Sequence, residues 1–269
     1  MMKGKNVLAF FHQLKKVKIK KIIFTLSHAV RGTSTEILNK KFIWWHQELE
    51  RLINNQARHP LTQALARHVT GLLDSPGDYR DLLSNWSALI SIPKYEWMNQ
   101  NDFVKFCEHS TGGFELLTAQ ILLGHKPLHQ LKEFVLQSNE ANARINLLRD
   151  FGEHLRAGRL PIPLSQLNTL GLVSQEVLTW RDEAQANGWE VLAAEMASMA
   201  KESLQKAQQW ISPLPTQEKQ TQWITQAINR INLSVLDEIE KSNFKVLSQR
   251  IELTPTRSIG IVIKSKLLQ

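Results

Sequence analysis

A single cysteine, Cys107, stands in the 269 residues of this chain. An internal disulfide is therefore excluded, and a reducing compartment is expected. No uninterrupted apolar run approaches the roughly 18 residues that a membrane-crossing helix requires. The expectation is a soluble or peripheral protein, in the cytoplasm or at the inner face of a membrane. Strand signals are nearly absent. Only Ser258-Ile259-Gly260-Ile261-Val262-Ile263 reads as β-like, and a lone strand has nothing to pair with. Nothing in the composition suggests disorder or a collagenous repeat.

Acids are scarce at the start of the chain. From Met1 to Trp45 there are ten basic residues and one carboxylate, Glu36. That excess is larger than the formal net charge of the whole chain, +8, so the remainder is close to neutral. A nucleic-acid groove needs basic side chains along an extended face, and charge gathered in one terminal segment argues against such a partner. Residues 1–40, with Val7-Leu8-Ala9-Phe10-Phe11 ahead of Leu14-Lys15-Lys16-Val17-Lys18-Ile19-Lys20-Lys21-Ile22-Ile23-Phe24, form a basic amphipathic segment. It suits an anionic membrane surface, apolar residues inserted and lysines at the headgroups. It equally suits a first helix whose lysines are solvated. Lysines interrupt the apolar run, which argues against a secretory signal.

The remaining periodicity is helical and reads as one all-α domain over 1–269. Phe42, Trp45, Leu49, Leu52 and Ile53 predict a helix ending near Asn54-Asn55. His59-Pro60 opens another, and Leu82–Ile90 a third. Asp102 is the expected cap of a helix through Phe103 and Cys107, interrupted at Thr111-Gly112-Gly113. A long helix is expected from about Leu128 to Leu155, then helices over Ser174–Trp210, with a break at Asn187-Gly188, and over Thr216–Leu247. The tail 255–269 is left without assigned structure beyond its β-like run.

The stretch from Asn146 to Pro163 carries the chemistry. On a helix, Asn146, Arg149, Asp150 and Glu153 fall at i, i+3, i+4 and i+7 and share a face. Carboxylates one turn apart suit Mg²⁺, and the arginine fork suits phosphate oxygens. The plain alternative is a solvated mixed-charge face with Arg149 paired to Glu153. His125 and His129 straddle Pro127 without a third ligand, so a zinc site is not expected. Cys107 is read as core. Gly112-Gly113 is read as a close helix–helix approach rather than a phosphate loop.

This stretch resembles the second aspartate-rich motif of squalene and phytoene synthases, approximately N-x-x-R-D-x-x-E-D followed by G-R and a proline. Asn146, Arg149, Asp150, Glu153, Gly158, Arg159 and Pro163 match in register. Lys41-Phe42-Ile43-Trp44-Trp45-His46-Gln47-Glu48-Leu49 with His59-Pro60-Leu61-Thr62-Gln63-Ala64-Leu65 resembles the family's W-W-x-x-E-L and H-P-x-x-x-A-L region. Phe106-Cys107 with Gly112-Gly113 resembles its Y-C and A-G segment. The likeness runs from about Lys41 to Leu172. It implies an isoprenoid-synthase helical bundle around a central cavity. It also implies a prenyl diphosphate or prenyl lipid as ligand, Mg²⁺ held by Asp150 and Glu153, and diphosphate held by Asn146, Arg149 and Arg159.

The departures from the family pattern are specific. His154 stands where the motif's last aspartate belongs, and imidazole suits hard Mg²⁺ poorly. Pro161 and Phe106 replace tyrosines. The first aspartate-rich motif should lie around Phe24–Arg31, where Phe24-Thr25-Leu26-Ser27-His28-Ala29-Val30-Arg31 holds no carboxylate. Two readings follow. One is a prenyl-diphosphate transferase of isoprenoid biosynthesis, in which no catalytic residue is assigned. The other is a non-catalytic, membrane-associated scaffold, as in the family branch that assists respiratory complex I assembly.

Overall fold

The computed structural model describes residues 35–60, 62–63, 66, 99–108, 112–123 and 127–267. In chain order its helices are α1 (Thr35–Ile53), α2 (Gln100–Cys107), α3 (Gly113–Leu123), α4 (His129–Arg149), α5 (Phe151–Arg156), α6 (Leu164–Thr169), α7 (Ser174–Val177), α8 (Trp189–Ile211), α9 (Thr216–Thr221), α10 (Trp223–Lys241) and α11 (Pro255–Leu267). A 3₁₀ turn, Glu183–Gln185, precedes α8. No strand occurs among the described residues, and the protein is all-α. Residues 1–34 of the expected basic segment, which include the Phe24–Arg31 region, and the Leu82–Ile90 helix lie outside the described residues.

The chain divides into two compact units, Met1–Ser91 with Gly113–Pro127, and Ile92–Gly112 with Leu128–Gln269. In the first, α1 stops where Asn55 takes a left-handed backbone (φ 58°), as its asparagine pair predicts. A new turn starts at once, the Gln63 amide bonding the His59 carbonyl at 3.0 Å.

The second unit is built around α4. Leu131, Phe134, Val135, Ala141, Ile145 and Leu148 are all at most 1% exposed and lie along one face of this helix. It packs most extensively on α8, then on α10 and α2. Polar positions on α4 are satisfied across the helix gap. The Asn142 amide donates to Asn229 Oδ1 (2.8 Å), Asn229 donates to Ser138 Oγ (2.9 Å), and Asn232 donates to Asn142 Oδ1 (2.8 Å). Such a ladder fixes the register of α4 against α10, because a slip by one residue would bury amides without partners. Arg144, 3% exposed, pairs with Glu140 at 2.8 Å and lies over the Phe103 ring at 4.5 Å.

Several element boundaries differ from the sequence reading. Asn99 is the N-cap of α2, and Asp102 is its partner at the third position of a reciprocal capping box. The long helix expected through Leu155 is interrupted at Asp150, whose φ −98° and ψ 14° leave the helical range. Gly188, at φ 86°, marks the break that the Asn-Gly pair predicts, but before it the expected helix from Ser174 runs only to Val177 and gives way to a loop with one 3₁₀ turn. The expected Thr216–Leu247 helix breaks at Gln222 and ends at Lys241, followed by Asn243 and Phe244 in left-handed conformations.

The β-like tail is helical. Its β-branched run favours strand only where an edge is available to pair with, and here α10 offers a helix face instead. Ser258, Ile261, Val262 and Ser265 turn toward the protein at helical spacing. The α10–α11 pair is antiparallel. Arg257 Nη1 meets Glu238 Oε1 at 2.9 Å near one end, and the Lys266 ammonium lies 4.8 Å from the centre of the Trp223 ring near the other.

Candidate functional site: an arginine-held carboxylate under a C-terminal strap

At the C-terminal end of α4, Asp150 serves as the last cap of that helix and the first of α5. Its amide still bonds the Asn146 carbonyl (3.0 Å), and its carbonyl still receives the His154 amide (3.0 Å). The turn continues while the axis is interrupted, and the carboxylate projects at the joint. Arg149 Nε donates to Asp150 Oδ1 at 2.8 Å and Nη2 to Oδ2 at 2.6 Å, a two-pronged fork. Arg250 Nε approaches the same Oδ1 at 3.1 Å and Glu252 Oε1 at 2.9 Å. Burial alone would raise the Asp150 pKa. The Arg149 hydrogen bonds and the charges of Arg149, Arg250 and His154 outweigh it and hold the carboxyl below its usual range. The Arg149 guanidinium is correspondingly pushed up, first by its bond to Asp150.

The other expected site residues lie around this pair. Glu153 is exposed in the first turn of α5, where its charge reaches Arg149. Asn146 is partly buried one turn before Asp150. Arg159 lies close enough to His154 to depress its pKa, second in effect to burial. His154 is therefore held toward the neutral form.

Arg250 is the member that sequence reasoning missed. It lies in the loop after α10, on a strap that crosses α5. The fit is close: a Cβ on Gly152 would clash with the carbonyl oxygen of Leu247, so no other residue is accommodated there. Arg156 Nη1 donates to that same carbonyl at 2.8 Å. Glu183 receives the Leu247 amide (2.8 Å), the Ser248 amide (3.2 Å) and the Ser248 hydroxyl (2.8 Å). Trp189 Nε1 donates to the Phe244 carbonyl at 2.9 Å. Leu247 itself is fully buried in the core. The only signal for the strap in the sequence is Gly152, a helix-weakening residue inside an otherwise helical motif.

The double-tryptophan region forms a different kind of structure, within the first unit. Glu48 is wholly buried. Its Oε1 accepts the Arg58 amide (2.8 Å), the His59 amide (2.7 Å) and the Thr62 hydroxyl (2.5 Å), while Oε2 accepts Arg51 Nε at 2.8 Å. Trp44, Trp45 and His59 pack edge to face, with ring centres 4.9–5.6 Å apart. Burial raises the Glu48 pKa, but the combined hydrogen bonds bring it down to about 2. The spacing of Glu48 and His59-Pro60 thus lets the Glu48 carboxylate cap the turn after α1.

A Mg²⁺ centre of the kind the fold implies needs several oxygen ligands. Here Asp150 has both oxygens engaged by guanidinium groups, and Glu153 is its one neighbouring acid on α5. Among the described residues, no group of three or more His, Cys, Asp or Glu side chains is placed to hold a metal ion. The described donors at this joint, with Asp150 and Glu252 paired to arginines, do not by themselves make up a multinuclear metal cluster.

The squalene/phytoene synthase family model matches residues 25–257. The chain is 21% identical over 220 residues to the chloroplastic phytoene synthase 1 of Solanum lycopersicum, covering 80% of this chain and 51% of that protein. It is 23% identical over 220 residues to the phytoene synthase of Arthrospira platensis, covering 77% and 68%. The chain thus spans about half the length of the tomato relative. Among solved structures, a dehydrosqualene synthase in complex with ligand superposes with a TM-score of 0.72 at 13% identity, over 94% of this chain and 87% of that one. Squalene synthase HpnC from Alicyclobacillus acidocaldarius gives 0.63 at 15% identity, over 76% and 74%. These likenesses show the isoprenoid-synthase fold, and with the family match over most of the chain they establish that this protein belongs to the squalene/phytoene synthase family.

Proposed function

We propose that this protein binds the diphosphate end of a prenyl diphosphate, within isoprenoid metabolism, through guanidinium groups rather than through a metal cluster. The carrying observation is the convergence of Arg149 and Arg250 on one carboxylate at the end of α4. Asp150 orients the Arg149 fork by two hydrogen bonds, fixing a planar donor group at low entropic cost when an anion arrives. Arg159 and Asn146 complete the expected contacts. Bound Mg²⁺ would supply Lewis acidity toward the leaving diphosphate. In the transferase reading Asp150 and Glu153 hold it, which requires the Arg149 and Arg250 pairs to open. The lack of a carboxylate within Phe24–Arg31, where the first motif should lie, favours the non-catalytic reading, a ligand-binding or scaffold member of the family.

A thermal-shift titration with farnesyl and geranylgeranyl diphosphate, with and without Mg²⁺, tests this. A ligand that binds only the native state raises the melting temperature, by about 2.7 kcal/mol of stability at a hundredfold excess over Kd. The expected result is a rise without Mg²⁺ that is lost in Arg149→Ala and reduced in Arg250→Ala. A rise only with Mg²⁺ would support the transferase reading and call for a product assay. No rise under either condition would overturn the proposal and leave the scaffold reading.

A further inference from the structure

Two buried donors end on a sulfur atom. Arg144 is 3% exposed; its Nε and Nη2 both donate to Glu140 Oε1, at 3.2 and 2.8 Å, and its face lies over the Phe103 ring. The remaining nitrogen, Nη1, donates to Met199 Sδ on α8 at 3.7 Å. From α6, Gln166 Nε2 donates to the same sulfur at 3.5 Å. Gln166 is 7% exposed, and its Oε1 is buried without a partner. A thioether is a weak acceptor. A guanidinium and an amide, both withdrawn from water, are therefore under-satisfied at one point, where α4, α6 and α8 meet.

We propose that Met199 is a modification site, oxidised by hydrogen peroxide to the sulfoxide, whose oxygen takes up the Arg144 and Gln166 donors. The sulfur lone pair attacks one peroxide oxygen; the S–O bond forms as the O–O bond breaks, and the other oxygen leaves as water with both protons. Sulfur is oxidised by two electrons and the peroxide is reduced by two. A dithiol reductase reverses the step, its thiols closing to a disulfide as the oxygen departs as water. The donors already stand where the product needs them. A nitrogen 3.5–3.7 Å from the sulfur suits a bent S–O···H–N arrangement with N···O of about 2.9 Å. Oxidation ordinarily disrupts a methionine's surroundings, because it buries an oxygen without partners; here two donors are in place. Access is selective as well. Met196, the other methionine among the described residues, is 3% exposed in the apolar core, whereas Met199 is partly exposed to solvent. The sulfoxide ties α6, the helix that follows the Gly158-Arg159 loop, more firmly to α4 and α8. This inference does not depend on the diphosphate site.

The test treats the full chain with graded hydrogen peroxide and reads sulfoxide at each methionine by peptide mass spectrometry. Met199 is expected to oxidise at doses that spare Met196, and the two should oxidise alike in urea. Met199→Leu, treated alongside, cancels the effect of the other methionines. Relative to it, oxidation should raise the melting temperature of the native chain by about 2–4 °C. Reduction with a methionine sulfoxide reductase and dithiothreitol should remove the rise. Gln166→Leu, which lacks one donor, should show a smaller rise. Met199→Gln needs no oxidant: its amide oxygen stands in for the sulfoxide oxygen, and it should melt above Met199→Leu. Four results would each overturn the proposal: Met199 no more reactive than Met196 in the folded chain, no rise in melting temperature on oxidation, an undiminished rise in Gln166→Leu, or Met199→Gln melting at or below Met199→Leu.

Discussion

Glu48 shows how far hydrogen bonding can carry a buried charge. Four donors converge on it, and its pKa near 2 means that the folded state holds the ionised form far more tightly than the unfolded chain does. A depressed carboxylate contributes stability that is complete above its unfolded value and disappears as pH falls through the folded one. Glu48→Gln is therefore expected to cost about 3 kcal/mol at pH 7, and the gap from the native chain should narrow between pH 4.5 and 2. Denaturant unfolding at a series of pH values would measure it. Asp150 makes a second prediction. With its oxygens held by Arg149 and Arg250, Asp150→Asn should cost about 1–3 kcal/mol of stability and weaken metal-free diphosphate binding, because the Arg149 fork loses one of its two hydrogen bonds. Loss of Mg²⁺-dependent binding with unchanged stability would instead identify Asp150 as a metal ligand. Calorimetric titration of the variant, beside its melting curve, separates the two.

Among the elements, α4 and α5 are welded to partners far along the chain. Replacing Gly152 by alanine would drive a methyl group into the Leu247 carbonyl, which is backbone and cannot swing aside. Gly152→Ala should destabilise by about 1–3 kcal/mol, whereas Gly158→Ala, at φ 66° with nothing nearby, meets only local backbone strain. Comparing their melting temperatures isolates the cost of the strap's close approach. Asn142→Ala should cost about 2 kcal/mol, because Asn229 and Asn232 would each lose a bond. The sequence made α1, α8 and the breaks at Asn55 and Gly188 readable, since apolar spacing and turn residues agree there. It misread α11 because a β-branched run records what a segment packs well in, and the packing partner is α10. It overran Asp150 because the residue is helix-compatible, and only the strap over Gly152 gives the helix a reason to stop.

For the molecule as a whole, the motif between Asn146 and Arg159 announced the family, and the family announced the bundle. What the motif did not disclose is that its carboxylate is shared with an arginine about a hundred residues later. Motif reading is local, and Arg250 sits in a loop with no periodicity to mark it. The spacing of Glu48 and His59-Pro60 was visible as a family pattern, but the turn that the carboxylate closes was not.

The strap also sets an order in time. The Arg156–Leu247 bond joins residues 91 positions apart. At about 5–20 residues per second of synthesis, α5 leaves the ribosome some 5–20 s before the segment that covers it. For that interval Asp150 has Arg149 but not Arg250, and the groove beside Gly152 is open. Completion of this site thus waits on the segment that carries the strap, and a ribosome stalled between the two segments would present the motif uncovered.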